Sequence, residues 1–445
     1  MEFQSLTTSL PNDPLAAFAR LVDQHDNCFL LETLGDEEQP LSTGKSYIGV
    51  APEHVYAADK DGFSIDGVAE AGTDPWLQLA SKLQLQPQLP AGYCGGLVGY
   101  LSHEAMHYIE PSLEYGYDRQ FYDFQFGDYR DGLVFDPGQA PRYFTHGPDR
   151  RELYQVDVKP NERLQITPLA VEKDEQQYHR MVEQARDDIQ HGRVFQVVLA
   201  DAFSYEFQGN LVALYRELRQ INPSPFMFFL KFGNFVTIGA SPELLMHVDS
   251  NRQLYLEALA GTIKRGQTPH ADKQLAEALR SDEKERAEHS MLVDLARNDV
   301  GRVSQVGSVR IDKLMYLKRL SHVQHLCSLI SGSLRPDKTA FDAVAASFPA
   351  GTLVGAPKIE AAHMIRELEG YERGPYGGTV GYFSLNGEAM HAVNIRSVQA
   401  LDNQLYVHTG SGIVYDSQPD REYQEILAKK TAMDRAMAPF IKEAS

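Results

Sequence analysis

Two Glu-x-x-Glu tetrads constrain this chain more than any other feature. The first lies at the start of Glu285-Arg-Ala-Glu-His-Ser-Met-Leu-Val-Asp-Leu-Ala-Arg-Asn-Asp-Val-Gly301. Ala287, Met291, Leu292 and Leu295 recur at helical spacing, and neither Gly nor Pro interrupts before Gly301, so the stretch reads as a helix. The second tetrad, Glu422-Tyr-Gln-Glu425, falls in the last predicted helix. Residues three apart share a helix face, so each tetrad sets two like charges side by side. Two readings stand for such a pair: a solvated acidic face, or half of a seat for a hard divalent cation held by oxygen ligands. The second needs the two helices to face each other across the fold.

Between and before these helices the pattern is mixed. Short apolar runs read as strands: Asn27–Glu32, Lys45–Val50, Gly95–Leu101, Gly132–Asp136, Val194–Leu199 and Phe226–Phe232. Helices are predicted from Asp174 to Ile189, over Leu211–Ile221, Thr339–Ser347 and Lys358–Leu368, and from about Ser417, whose side chain can cap the last one. Ala389–Ala400 and Gln404–His408 read as a hairpin-like pair, and Arg319-Leu-Ser-His-Val-Gln-His325 leads into a strand through Ile330. The elements do not alternate strictly as strand and helix, so the class is α+β with antiparallel neighbours. A polar stretch from Pro137 to about Thr167, with a strand expected at Leu153–Val158, is the candidate boundary between a β-rich region 1–150 and a region 170–440.

Charge narrows the function classes. With 42 basic and 61 acidic residues the net charge is −19, and such a field repels nucleic acid and anionic membrane. An anion must then be gripped locally, by a few Arg or Lys, a metal ion or backbone N–H groups. Cys28, Cys94 and Cys327 form no C-x-x-C, so neither a zinc knuckle nor a disulfide framework is supported. The first residues lack a basic and then apolar leader, and no apolar run approaches the roughly 18 residues of a membrane span. A reducing cytoplasm is the expected home.

Gly-rich turns occur at 261, 351–355, 374–378 and 410–412. None is a phosphate-binding loop; each alone reads as a turn, and together they offer N–H groups that can cradle carboxylates. Gln196 in an apolar strand is either a satisfied structural amide or a site residue. Arg396 in Asn394-Ile-Arg396 also sits in an apolar strand and needs an anionic partner. His325 reads as a core histidine or a base, and Glu243 as a turn residue or a buried general acid.

The motifs Leu259-Ala-Gly-Thr262, Glu288–Asp299, Gly301-Arg302, Ser321–His325, Phe348–Thr352, Gly355–Lys358, Gly374–Gly378, Gly410–Ile413 and Glu422–Glu425 stand in the order and spacing of the chorismate-utilising enzymes. The chain most resembles their anthranilate synthase component I branch, strongly over about 170–440 and more weakly over 1–150. The resemblance implies two stacked, mainly antiparallel sheets flanked by helices. It implies magnesium, with Glu288 and Glu425 as direct ligands and Glu285 and Glu422 reaching it through water. Arg396, Tyr376 and the N–H groups of Gly410 and Gly412 match positions gripping the pyruvyl carboxylate of chorismate. Ala260, Gly261, Thr262 and Lys429 join the substrate-binding set. Glu243 matches the acid assisting loss of the ring hydroxyl, His325 the base removing the ring carbon 2 proton, and Thr352 lines the ring.

Family members that add water carry Lys where this chain has Gln196, and aminodeoxychorismate synthases typically carry Lys where it has Ala260. With neither, the resemblance points to ammonia attacking ring carbon 2, giving 2-amino-2-deoxyisochorismate and then anthranilate. Ammonia would come from a separate glutamine amidotransferase subunit. An aminodeoxychorismate synthase lacking its Lys, an enzyme stopping at the amino intermediate, and a non-catalytic binding protein are the alternatives. A tryptophan pocket is expected from Leu31, Glu32, Thr33, Asn222, Pro223, Pro225, Phe226, Met227 and Phe228. Here Thr33 replaces the usual Ser and Phe226 the usual Tyr, while Leu259, Ile263 and the flanks His191-Gly-Arg193 and Ala200-Asp-Ala202 also depart from the pattern.

Overall fold

The strand Phe226–Phe232, sequence FMFFLKF, is buried at six of its seven positions. A run apolar on both faces needs cover on both faces, and the fold supplies it: a sheet packs on one side and helices on the other. In the computed structural model, residues 2–5, 10–34, 43–113, 119–156, 158–171, 173–319 and 323–442 are described. Two large sheets form the body, and every strand ladder in them is antiparallel. The twelve-stranded sheet has Asn27–Glu32, Phe226–Phe232 and Phe235–Ser241 near its middle and Gln196–Gly209 beside Gln404–Ile413 towards one edge. The eleven-stranded sheet begins at the edge strand Arg310–Arg319 and continues through Val323–Ser333, Gln253–Lys264 and Leu244–Val248. Both sheets contain strands from before residue 150 and from after residue 160.

Between the sheets lies an aromatic layer including Phe29, Tyr47, Tyr129, Phe228, Phe235 and Tyr382. Its rings meet edge to face, as Phe29 and Tyr129 do at 4.7 Å, a geometry adding roughly 0.5–1.5 kcal/mol per pair beyond area burial. Helices Pro14–Leu21, Val212–Ile221 and Pro419–Met437 cover the outer face of the first sheet, and Glu283–Val303 and Ala340–Ser347 contribute to the second core.

Several expectations are corrected. Residues Arg151–Tyr154 form a 3-10 turn instead of a strand, because the Tyr154 hydroxyl is drawn inward to Asp131 Oδ1 at 2.7 Å; the strand is Leu164–Val171. Ser417 does not cap the last helix: its Oγ accepts from Val414 N at 3.1 Å, and the helix starts at Pro419 after Gln418. The glutamate helix continues through Gly301 to Val303. The stretch Ala389–Ala400 is two strands, Ala389–Val393 and Ser397–Leu401, and Arg396 stands in the break with φ 51°. Leu320, Ser321 and His322 lie outside the described residues.

Candidate active site

The helix Glu283–Val303 starts on Asp282, whose side chain accepts from Glu285 N at 3.0 Å. Glu285 and Glu288 therefore sit in its first turns, where the helix N-terminus favours negative charge. The helix packs against the strands Gln253–Lys264 and Val323–Ser333, and the helix Pro419–Met437 packs against Gln404–Ile413. This brings the two tetrads within electrostatic reach. Burial raises the Glu285 carboxyl, and the charges of Glu288, Asp282 and Glu425 raise it further. Burial likewise raises Glu288, partly offset by Lys284, with Glu422 and Glu425 adding to it. Glu422 is raised by burial first and by Glu425. Lys284 lies 3.7 Å from Glu288 and Lys429 2.8 Å from Glu425.

Among the described residues no three His, Cys, Asp or Glu groups converge tightly enough to hold one cation by themselves. Magnesium does not require that: it keeps several waters and takes one or two carboxylates. An all-oxygen set of four half-buried to exposed carboxylates, split between two helices, fits a partly hydrated ion of this kind.

The remaining candidates collect around this seat. Gly261 carries φ 67°, a conformation that favours Gly, and a Cβ there would lie 2.8 Å from Glu285 Oε2. The bulge between Ala260 and Thr262 turns Thr262 opposite His325, and Thr262 Oγ1 is 3.0 Å from His325 Nδ1. His325 Nδ1 is also 3.2 Å from the Gly261 carbonyl. That carbonyl can only accept, so Nδ1 carries the proton and Nε2 keeps its lone pair. Burial pushes the imidazole down to about 3, helped by Arg396, Lys318 and Lys429, so it is neutral in the physiological range.

Glu243 sits in the turn between Phe235–Ser241 and Leu244–Val248 and is 4% exposed. Thr352 Oγ1 donates to Glu243 Oε1 at 2.5 Å. Burial pushes this carboxyl up to about 7; the Thr352 bond opposes the shift and Glu257 adds to it. It is thus a carboxylic acid that still holds its proton near neutral pH.

Arg396 donates from Nη1 to the Lys429 carbonyl at 2.9 Å and makes no ion pair among the described residues, leaving most of its guanidinium donors free for an anion. Lys429 Nζ donates to the Gly410 carbonyl at 2.7 Å. Tyr376 is buried, with its ring stacked on His408 at 5.2 Å. Gln196 Nε2 would lie 2.7 Å from a Cβ at Gly412, and its buried Oε1 has no hydrogen-bond partner among the described residues. His325, Arg396 and Lys429, with Pro242 and Asn222, line a cavity of about 550 Å³.

A second cavity, about 380 Å³, lies between the sheets and is lined by Leu31–Thr33 and Phe226–Phe228. Asn222, Pro223 and Pro225 do not line it; Asn222 faces the first cavity instead, because the chain turns between Asn222 and Phe226 before entering its strand. The Glu32 carboxylate is engaged by the helix Val212–Ile221, accepting from Tyr215 at 2.8 Å and Arg219 at 2.9 Å. Lys45, next to Thr33 in the same sheet, and Asp249, Glu388 and Met390, from the facing sheet, also line the cavity and were missed, since only strand pairing and sheet stacking bring them there. Lys318 and Glu257, buried beside Glu243, were missed as well.

The chain as a whole resembles known proteins. The pattern defining the chorismate binding enzymes matches residues 26–435. Anthranilate synthase component 1 of Methanothermobacter thermautotrophicus is 39% identical over 435 residues, covering 96% of this chain and 92% of that protein. The protein of the same name from Pseudomonas putida is 37% identical over 463 residues, covering 96% and 92%. The crystal structure of anthranilate synthase component I from Streptococcus pneumoniae superposes with a TM-score of 0.79 at 33% identity, covering 95% of this chain and 97% of that one. The menaquinone-specific isochorismate synthase of Escherichia coli shares the fold, with a TM-score of 0.73 at 21% identity, covering 94% and 91%. The matched residues 26–435 include both glutamate tetrads, the strand that carries His325 and the turn that carries Glu243, so the chain belongs to the family of chorismate-binding enzymes.

Proposed function

We propose that this chain aminates chorismate at ring carbon 2 with ammonia and eliminates pyruvate to give anthranilate. The observation that carries this reading is the pair Gln196 and Ala260: neither side chain offers a base for water or a nucleophile for the ring. The relatives named anthranilate synthase component 1 support it, and their name supports a second component, here a glutamine amidotransferase subunit supplying ammonia. Three free, buried cysteines suit a reducing cytoplasm, and no helix among the described residues is long and apolar enough to cross a membrane.

Arg396, Tyr376 and the backbone N–H groups of Gly410 and Gly412 hold the pyruvyl carboxylate. Glu288 and Glu425 directly, and Glu285 and Glu422 through water, would hold magnesium, which when bound would offset the charge of the ring carboxylate. Glu243 gives its proton to the ring 4-hydroxyl as that carbon–oxygen bond breaks and ammonia adds at carbon 2. His325 Nε2 then takes the carbon 2 proton as the enolpyruvyl group leaves and is protonated to pyruvate. Purified chain with chorismate, magnesium and ammonium at alkaline pH is expected to form fluorescent anthranilate. Formation of 4-amino-4-deoxychorismate would refute the reading in favour of an aminodeoxychorismate synthase, and 2-amino-2-deoxyisochorismate as the end product would show an enzyme that stops at the intermediate.

His325→Met is expected to slow pyruvate loss by roughly 10²-fold or more, the scale of general-base catalysis, while amination continues. The amino intermediate then accumulates and is seen by chromatography; its absence, with anthranilate formed at the normal rate, would remove His325 from this role.

The inter-sheet cavity falls within the roughly 300–1,000 Å³ usual for small-ligand sites, and we assign it to tryptophan as a feedback inhibitor. Tryptophan titrated against the ammonia-dependent rate is expected to inhibit. Met390→Ala, at the cavity wall, is expected to weaken that inhibition roughly tenfold, about the 1.4 kcal/mol of one lost apolar contact. An unchanged wild-type rate at saturating tryptophan would refute the assignment.

A further inference from the structure

The edge strand Arg310–Arg319 has ten residues, and only one of them, Lys318, is buried. An ammonium is a poor choice for the single buried place on an exposed strand, because its desolvation costs several kcal/mol unless it is fully paired. Its partners are specific. Lys318 Nζ donates to Glu257 Oε2 at 2.5 Å and to the Pro242 carbonyl at 2.9 Å. The Tyr316 hydroxyl donates to the other Glu257 oxygen. Tyr316 and Lys318 are two apart and share a face; Lys318 stands opposite His325, and His325 stands opposite Thr262 on the next strand. The Pro242 carbonyl belongs to the peptide bond that leads into Glu243. The far side of the same turn is tied down by Val393 N donating to the Glu243 carbonyl at 3.0 Å.

We propose that Lys318 is a positioning residue for Glu243: its ammonium clamps the peptide bond entering Glu243, and Glu257 and Tyr316 hold that ammonium in place. The role rests on the amination reading above, in which Glu243 is the acid. The Glu243 carboxyl is reached by Glu257 and Lys318 from the eleven-stranded sheet, by Thr352 from the short helix Gly351–Val354, by Lys429 from the last helix and by the buried Cys327 thiol. A buried ion pair adds little to stability over an apolar pair of similar size, so stability alone does not account for this one. Misplacing a reacting group by about 1 Å can cost 10²-fold in rate, and the clamp guards against that loss.

The test compares wild type, Lys318→Met, Lys318→Arg and the double variant Glu257→Leu/Lys318→Met in the ammonia-dependent assay, with kcat, KM for chorismate, pH profile and thermal unfolding recorded. Lys318→Met is expected to lose roughly 10–100-fold in kcat with KM changed less than about threefold. Its alkaline limb is expected to move up by about one pH unit, since Glu257 is left unpaired beside Glu243. Lys318→Arg, which keeps the charge, is expected to regain part of kcat. The double variant is expected to unfold near the wild-type temperature, with the limb returned and kcat still low. Recovery of kcat in the double variant, or wild-type kcat in Lys318→Met, would overturn the role while leaving the amination reading intact. A wild-type chain that does not aminate chorismate would overturn that reading and the role with it.

Discussion

Glu243→Gln is expected to lower kcat by roughly 10²–10⁴-fold, the span general acid catalysis usually supplies, with little change in KM for chorismate. The amide keeps the shape of the carboxyl and still accepts from Thr352 Oγ1, which lies 2.5 Å from Glu243 Oε1, but it has no acidic proton to give. The pH dependence follows from the same burial. The wild-type carboxyl is pushed up to about 7, so its proton is present below that value and lost as pH rises through it. Rates normalised to free ammonia are therefore expected to fall through this window in the wild type and to stay flat in Glu243→Gln. Total ammonium must not be the reference, because the free base increases with pH and hides the limb. A variant that keeps kcat within about fivefold, or that keeps the limb, would move the acid role to another group.

Glu288→Gln is expected to raise the magnesium requirement by roughly 100-fold or more, since even outer-shell partners of a metal are worth 10–100-fold in affinity. The substitution is nearly isosteric and removes one charge from a cluster in which burial and the neighbouring Glu422 and Glu425 already raise the carboxyl. The chain should therefore fold at least as well, which thermal unfolding without metal checks. Calorimetric titration of the metal-free chain with magnesium reads binding apart from turnover. Equal magnesium affinity in variant and wild type would return Glu288 to the status of a solvated acid paired with Lys284. The corresponding change at Glu285 is expected to cost less, because that residue reaches the ion through water in this reading.

Much of the architecture was legible in the sequence because it is written in local periodicity. The glutamate helix, the Asp174-capped helix Glu175–Gln190 and the run Phe226–Phe232 each follow from spacing, capping residues and apolar content, and the structure has them within a few residues of the expected bounds. The failures share one cause. Arg396 was read inside a strand because its neighbours are apolar; it breaks the strand instead, with its side chain turned to the last helix. Ser417 has the chemistry of a cap, but its hydroxyl is taken by Val414 N. In each case a long-range or turn contact overrode a local preference.

The sequence by itself determined the chemical types present: two carboxylate pairs at helical spacing, a histidine, a Glu after Pro, and two positions without lysine. Those are properties of single residues and of spacings up to a few turns. Only the tertiary structure decided which of them meet. Antiparallel pairing sets Thr262 against His325, a bulge turns Gly261 towards Glu285, and helix packing lays Glu422 and Glu425 across from Glu288. It also buried Glu243 next to Thr352 and placed the Lys318 ammonium on the peptide bond before it. Spacing along the chain carries no information about those encounters, because desolvation and electrostatic coupling depend on distance in space. That dependence makes Glu243 an acid near neutral pH, and the sequence alone could name the residue but not its proton.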